Sequence, residues 1–188
     1  RPAFLANRVG FQFINHAMLL ADEFKEEGGI DYIDYLLQGI TGRGMPPLVT
    51  ANFVGLDIHK AIIDNLLLNT NDYENDSFES TEFLNELVSR NHLGVKTRKG
   101  LYKKEKINGQ SVSTVYDLKN QSYRQINNYK YELVETMKLL ISESNYIEAF
   151  NLLMNSTCKE SKIIKMILVK HVVYSFFVLK EVSNKFQL

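Results

Sequence analysis

Apolar residues recur at helical spacing through the first part of the chain. Between residues 4 and 27 the spacing is three or four residues, with two further apolar positions broadening the stripe. These residues are Leu5, Val9, Phe11, Phe13, Ile14, Ala17, Met18, Leu20, Ala21 and Phe24. A helix that is apolar over so much of its circumference is expected to be buried on several sides. Gly28-Gly29 is expected to end it, because glycine is the usual residue just past a helix C-terminus.

Shorter helices are predicted to follow. One is expected over 31–38, and the glycine- and proline-rich stretch 39–47 then predicts a loop. The next helix is expected to begin at Pro47, since proline suits a first helical turn, and to end at Gly55. Asp57 is expected to cap the helix after it.

The pattern changes in the middle of the chain. The polar, acidic stretch 69–80 predicts a solvated loop, and an amphipathic helix is expected from about Phe83 to Arg90. Segments 101–107 and 111–118 then flank Asn108-Gly109, the dipeptide that most strongly predicts a tight hairpin turn. The sequence therefore predicts a β-hairpin after the helices.

Three more helical stretches are predicted near the end, at 131–142, 146–155 and 160–185. A polar segment rich in Asn and Tyr, 119–130, predicts a linker before them. The stretch 163–182 is strongly apolar, but three lysines interrupt it, and a membrane-spanning helix needs about 20 residues with few or no charges. A core helix is therefore the favoured interpretation, and no membrane span is expected.

Composition narrows the possible partners. The chain has 22 basic and 22 acidic residues, so no electrostatic footprint for nucleic acid or an anionic membrane is expected. The single cysteine, Cys158, excludes an internal disulfide and predicts a reducing, cytoplasmic location. No signal peptide is recognised at the start of the sequence, and the start without a methionine predicts an excised domain.

Several familiar catalytic patterns do not fit the sequence. Gly39–Gly44 resembles a phosphate loop, but a dinucleotide-binding loop follows a strand, whereas this one follows a predicted helix. The four histidines are not spaced like zinc ligands, so no metal site is expected. They are His16, His59, His92 and His171. The chain alone therefore contains no self-sufficient catalytic set.

Two short segments remain as candidates for binding or chemistry. Lys96, Arg98 and Lys99 form the densest basic patch, which can neutralise the phosphates of a CoA ester, although exposed Lys and Arg are common in loops. Asn7-Arg8 opens the long first helix. Asn7 can satisfy backbone groups at the helix end, or its amide can hold a substrate oxygen in fixed geometry. The residues alone leave both interpretations open.

Three segments, in order, resemble the C-terminal domain of 3-hydroxyacyl-CoA dehydrogenases. They are Pro2-Ala-Phe-Leu-Ala-Asn-Arg8, Phe53-Val-Gly-Leu-Asp57 and Leu93-Gly-Val-Lys-Thr-Arg-Lys-Gly-Leu-Tyr102. Ala3 and Arg98 stand where the family pattern has glycine. The altered and longer loop ending at Gly44–Pro47, together with the chain after Tyr102, is more similar to the long multifunctional branch of the family.

The resemblance implies a fold and a reaction. The fold is an all-α domain of the 6-phosphogluconate dehydrogenase C-terminal type over residues 1–104. A hairpin and linker over 105–130 and the start of a second helical copy over 131–188 are expected to follow. The reaction is the NAD-dependent oxidation of a 3-hydroxyacyl-CoA in fatty-acid β-oxidation, with Asn7 as the catalytic residue that falls in this chain.

The resemblance assigns the remaining chemistry to another part of the protein. NAD, the histidine base and its glutamate partner would belong to an N-terminal Rossmann domain, so the fragment alone is expected to be inactive and to bind no cofactor. The helical domain would wall the acyl-CoA site and offer a surface for a homodimer or for the second copy. Two rivals remain. One is the helical domain of another hydroxy-acid dehydrogenase that uses a lysine in its first helix, although no lysine lies between Arg8 and Glu23. The other is a non-catalytic helical interaction module.

Overall fold

The computed structural model describes residues 5–70, 74–107 and 109–183. In that part of the chain, helices pack beside a small sheet, and short 3₁₀ turns at Lys25–Glu27, Asn75–Phe78 and Val95–Thr97 join some of them. The elements are α1 (Leu5–Glu23), α2 (Ile30–Leu37), α3 (Pro47–Val54), α4 (Leu56–Asn69), α5 (Glu82–Ser89), β1 (Tyr102–Ile107), β2 (Gln110–Asp117), β3 (Ser122–Gln125), α6 (Glu132–Ser142), α7 (Tyr146–Asn155) and α8 (Lys159–Ser183). The predicted helical fold with a following hairpin is confirmed.

Helix α1 lies at the centre of the helical layer. It packs against α2, α3, α4 and α8, and Phe13, Ala17 and Met18 are fully buried along it. Burial on several sides is what its broad apolar stripe predicted. The helix gives way to a 3₁₀ turn and then to Gly28 and Gly29, both with positive φ, which reverse the chain into α2.

The structure differs from two local predictions, the cap of α4 and the solvated loop over 69–80. Asp57 does not cap α4. Gly55, with φ 107°, occupies the cap position and makes no side-chain bond there, while Asp57 lies in the first turn and pairs with Lys96. The stretch predicted as a solvated loop, 69–80, contains the 3₁₀ turn Asn75–Phe78, in which Ser77 and Phe78 are buried. The Phe78 ring packs 6.0 Å from the ring of Tyr174 in α8.

The sheet is antiparallel, in the order β1-β2-β3. Its first two strands form the predicted hairpin, with Tyr102 opposite Val115 and Ile107 opposite Gln110; the turn residue Asn108 lies outside the described residues. Strand β3 was not predicted, because its residues fall in the polar segment interpreted as a linker. It pairs with β2 from Thr114–Gln125 to Asp117–Ser122.

A buried ion pair fixes this segment to α2. The Arg124 guanidinium donates to both oxygens of Asp31, at 2.9 and 2.7 Å. The Asn127 N–H and the Tyr129 hydroxyl donate to the same carboxylate, at 2.9 and 3.2 Å. Asp31 is only 3% exposed, so one buried carboxylate of α2 holds three residues of the segment 124–129.

The last three helices pack onto the same core. Val134 of α6, Leu153 of α7 and Ile164 of α8 belong to one cluster of buried apolar residues with Phe13 of α1. Division of the chain at residues 104 and 130 stays a prediction. In the described residues, no helix has the length and apolarity that crossing a membrane would require.

Candidate active site

Asn7 lies in the first turn of α1. Its side chain is exposed, although most of the helix that carries it is buried. A carboxamide offers two N–H donors and one carbonyl acceptor without adding charge. An exposed amide on a rigidly packed helix end is suited to holding a polar group of a bound molecule.

Arg8, the next residue, points into the protein. It is 9% exposed; its Nε donates to the Tyr174 hydroxyl at 2.9 Å, and its Nη1 donates to Glu181 Oε2 at 2.8 Å. Both partners belong to α8. The first turn of α1 therefore carries one polar side chain toward the surface and one charged side chain into a contact with the last helix.

A second feature is a groove of about 610 Å³ between α3 and the hairpin, which we call the hairpin groove. Its apolar walls include Met45, Phe53, Val95 and Ile126, all between 43% and 65% exposed. Three cationic side chains, from Arg98, Lys103 and Lys104, line it as well. The full lining is Met45, Val49, Asn52, Phe53, Val95, Arg98, Tyr102, Lys103, Lys104, Ser113 and Ile126. Apolar walls with several cations suit a ligand that has an apolar part and an anionic part.

Buried polar contacts hold the floor of the hairpin groove. Tyr102 donates its hydroxyl to Asp34 Oδ2 at 2.6 Å, and its backbone N–H donates to Asn52 Oδ1 at 3.2 Å. Asp34 also accepts the backbone N–H groups of Leu48 and Val49 at the start of α3, at 2.8 and 3.0 Å. Burial raises the pKa of Asp34 to about 7, although these three donors oppose the shift. One carboxylate thus joins α2, the N-terminus of α3 and β1.

Close packing beside this floor requires glycine. Gly94 has φ 101°, and a Cβ there would lie 2.0 Å from the carbonyl oxygen of Asn52 in α3. A side chain at this position would push the 94–100 loop away from α3. Glycine in the Leu93-Gly94 part of the motif is therefore explained by contact between two backbones.

The three basic residues predicted to bind phosphate have different surroundings. Lys96 pairs with Asp57 at 2.5 Å, and the Lys99 ammonium lies 5.5 Å from the centre of the Tyr123 ring. Arg98 is the one of the three that lines the hairpin groove. Its φ of 59° is left-handed, a conformation that glycine adopts without strain. That geometry explains why glycine suits the position at which this chain has arginine.

Sequence reasoning missed most of the hairpin groove. Lys103 and Lys104 fall in a predicted hairpin strand, Met45 falls in a predicted loop and Phe53 in a predicted helix, and the sequence gives these residues no shared role. Their proximity depends on the hairpin folding back over α3. The structure does not place Asn7 among the groove-lining residues.

A buried polar cluster lies beneath α1, where His59 meets Asn15. The Asn15 amide nitrogen donates to the carbonyl oxygens of Ser77 and Glu79, both at 2.8 Å. Its oxygen therefore faces His59 Nε2 at 3.1 Å, so Nε2 carries the proton and donates. Burial lowers the pKa of His59 to about 4 and is also the main cause that lowers the pKa of His16 to about 4.

Because the pKa values of His59 and His16 are lowered, the folded protein is expected to lose stability in acid. Since the pKa of His59 is about 4 in the folded chain, against an ordinary histidine value of 6.5, the unfolded chain binds more protons between those values. The free energy of unfolding is expected to fall as pH drops from about 6.5 to about 4, by on the order of 3 kcal/mol from His59 alone. Urea unfolding across that range measures it. His59→Gln, which keeps an N–H donor and does not titrate, should show a shallower fall, and an unchanged slope in this variant would contradict the assignment.

The Gly39–Gly44 turn does not have the surroundings of a dinucleotide-binding loop. The sheet is antiparallel, and the Gly39–Gly44 turn follows α2 and precedes Pro46 and Pro47, at which α3 begins. A dinucleotide-binding loop instead joins a parallel strand to a helix N-terminus. Within residues 5–70, 74–107 and 109–183, no group of three or more His, Cys, Asp or Glu side chains is arranged to hold a metal ion.

The known proteins to which this chain is similar agree with the family resemblance seen in its sequence. The mitochondrial hydroxyacyl-coenzyme A dehydrogenase of Sus scrofa is 33% identical over 105 residues, which are 54% of this chain and 31% of that protein. The Homo sapiens protein of the same name gives the same identity and coverage. A putative fatty acid oxidation complex trifunctional enzyme of Rickettsia felis is 26% identical over 152 residues, 79% of this chain and 21% of that protein. The chain thus spans about a third or less of the length of these relatives.

The family model of the 3-hydroxyacyl-CoA dehydrogenase C-terminal domain matches residues 4–104, more than half of the chain. The matched region contains Asn7, the Gly55-Leu56-Asp57 turn into α4 and the close-packed loop that leads to Tyr102. It also contains the α3 side of the hairpin groove. The chain therefore belongs to the 3-hydroxyacyl-CoA dehydrogenase C-terminal domain family.

Proposed function

We propose that this chain is the part of an NAD-dependent 3-hydroxyacyl-CoA dehydrogenase that completes the substrate site. The observation that carries the proposal is the position of Asn7, which is exposed at the start of α1, in the motif that resembles the family's entry into this helix. The reaction removes a hydride from carbon C3 of the substrate and a proton from its C3 hydroxyl, and leaves a C3 ketone. The Asn7 amide would hold the C3 oxygen and stabilise the charge that develops on it.

In this proposal, the groups that accept the hydride and the proton belong to other parts of the protein. NAD would accept the hydride, and a histidine outside this chain would accept the proton. NAD is proposed to be held by the N-terminal domain. A reducing, cytoplasmic location is part of the proposal, although the relatives named above include mitochondrial proteins.

The second helical group is proposed to be the start of a second copy of the domain. The similarity to the Rickettsia felis trifunctional protein covers 152 residues, so it must include residues beyond 104, which the family model does not reach. This agrees with the proposed origin of the chain in the multifunctional branch. A homodimer, or docking of the second copy, would then use the helical surface.

Steady-state kinetics tests the proposed function. The full-length protein should reduce NAD when given 3-hydroxybutyryl-CoA, and residues 1–188 alone should give no rate above background. A rate from residues 1–188 alone would refute the assignment of the proton acceptor to another domain. No rate from the folded full-length protein, with CoA esters of several chain lengths, would refute the activity itself.

We further propose that Arg98 binds a phosphate of the CoA moiety at the rim of the hairpin groove. Arg98→Ala is expected to raise KM for 3-hydroxybutyryl-CoA about tenfold, the effect of losing one charge-assisted hydrogen bond, with kcat unchanged. The same variant should leave KM unchanged for the N-acetylcysteamine thioester, which has no phosphate. Lys96→Ala is the matched control, because Lys96 is paired with Asp57. An equal KM increase for both thioesters would contradict a phosphate contact.

A further inference from the structure

The contact between Arg8 and α8 joins the candidate active site to the end of the second helical group. Arg8 and Tyr174 are separated by 166 residues along the chain, yet the Arg8 Nε donates to the Tyr174 hydroxyl at 2.9 Å. Glu181, two helical turns further on the same face of α8, accepts from Arg8 Nη1 at 2.8 Å. The planar guanidinium thus spans two anchor points, which a point charge such as lysine cannot do.

Burial limits the positions that the Arg8 guanidinium can adopt. Tyr174 is 0% exposed and Arg8 is 9% exposed. The Tyr174 ring also packs against Phe78 at 6.0 Å, so its hydroxyl cannot move without disturbing the core. A buried charged group held by hydrogen bonds has few alternative arrangements, because any other position leaves it unpaired.

The charges of Arg8 and Glu181 favour the packing of α1 against α8. Arg8 lies near the N-terminus of α1 and Glu181 in the last turn of α8, where each charge opposes the dipole of its own helix. Contacts of Arg8 with Glu181 and of Phe13 with His171 show that α1 and α8 run antiparallel. Each charge therefore lies beside the favourable end of the other helix. The ion pair therefore stabilises the contact between the two helix ends and does not stabilise either helix by itself.

Asn7 precedes Arg8 directly, in the same helical turn. When Arg8 is fixed, the direction in which the Asn7 Cα–Cβ bond leaves the helix is fixed too. A misplacement of about 1 Å in a group that positions substrate can cost about 10²-fold in rate. The orientation of this turn therefore matters to the reaction if Asn7 acts on the substrate.

We infer that Arg8 is a positioning residue: together with Tyr174 and Glu181 of α8, it holds the first turn of α1 in the orientation that presents Asn7 to the substrate. This inference rests on the proposed function of Asn7. It gives the second helical group a role in catalysis, since α8 supports the site without touching the substrate.

The test is a comparison of kinetics in two backgrounds of the full-length protein. Tyr174→Phe combined with Glu181→Met removes the two acceptors of Arg8 named above with little change in side-chain volume. With NAD and 3-hydroxybutyryl-CoA, this double change is expected to lower kcat about tenfold and to leave KM within about twofold. In an Asn7→Ala background it is expected to have no further effect on kcat, because the residue it positions is absent.

Lys170→Gln is the matched control. It removes another polar anchor of the same helix, the ion pair with Glu74 at 3.1 Å, which involves neither Asn7 nor Arg8. This control should leave kcat unchanged. If the double variant does not fold, Tyr174→Phe alone removes a single oxygen and allows the same comparison.

The outcomes separate the two proposals. A fall in kcat that is equal in the wild-type and Asn7→Ala backgrounds, or no fall in either, would overturn the positioning role. If Asn7→Ala lowers kcat strongly while the α8 changes do nothing, the proposed function stands and the positioning role is wrong. If Asn7→Ala has no effect, the proposed function fails, and the positioning role fails with it.

Discussion

Asn7→Ala in the full-length protein is expected to lower kcat for 3-hydroxybutyryl-CoA by about 10²- to 10³-fold, the usual cost of removing one donor that stabilises developing charge. The thermal stability of the protein should not change, because the Asn7 side chain is exposed. Steady-state kinetics with NAD gives the rate, and a melting curve checks the fold. The loss is expected in kcat rather than KM, since the contact strengthens as charge develops on the substrate oxygen.

Two further variants make this result specific. Asn7→Asp keeps the size and removes the amide donors, and it should be as slow as Asn7→Ala. Asn65→Ala removes another exposed asparagine, on α4, and should retain wild-type kcat. A kcat for Asn7→Ala within about threefold of wild type would favour the alternative that this domain is a non-catalytic interaction module.

Asp31→Ala is expected to have the largest effect on stability, lowering the free energy of unfolding by about 3–5 kcal/mol. The change leaves the Arg124 guanidinium partly buried without its bidentate partner and removes the acceptor of Asn127 and Tyr129. For a chain of this length the melting temperature should fall by about 10 °C. Urea unfolding followed by circular dichroism measures the free energy directly.

Lys119→Ala provides the control for this prediction. Lys119 pairs with Glu26 and so also joins the end of the first helical layer to the sheet region, but its side chain is 58% exposed. An exposed ion pair contributes about 0–1 kcal/mol, so this variant should unfold close to wild type. Equal effects of the two substitutions would show that burial of Asp31 contributes nothing to the contact.

The sequence predicted those elements whose signal is local. The apolar stripe of α1, the start of α3 at Pro47 and its end at Gly55, and the hairpin around Asn108-Gly109 depend on residues a few positions apart. The helices after residue 130 were predicted for the same reason. Each of these patterns can be recognised without knowing what the element packs against.

Other features depend on distant partners and were missed. Strand β3 has the composition of a linker, and it is ordered by Arg124 reaching Asp31, 93 residues away. Asp57 has the identity of a capping residue, but its carboxylate pairs with Lys96 from another loop. The hairpin groove forms only when the hairpin lies over α3. Periodicity and capping rules contain no information on such pairings.

Some residues of the candidate site were predicted from the sequence and others were not. Asn7 was singled out by its place at the start of a buried helix together with the family resemblance, and its role stays a prediction. Arg8 drew attention only as the neighbour of Asn7, because its partners in α8 cannot be read from the sequence. Of the basic residues, Arg98 lines the groove, while Lys96 and Lys99 have protein contacts instead.

A crystal structure of the full-length protein with acetoacetyl-CoA and NAD, a pair that cannot react, would test the central claim most directly. We expect the Asn7 amide nitrogen within about 3 Å of the C3 oxygen of the ligand, the distance of an N–H···O hydrogen bond. A histidine from outside this chain should then contact the same C3 oxygen. An Asn7 side chain that faces solvent in this complex, with no contact to the acyl group, would contradict the account.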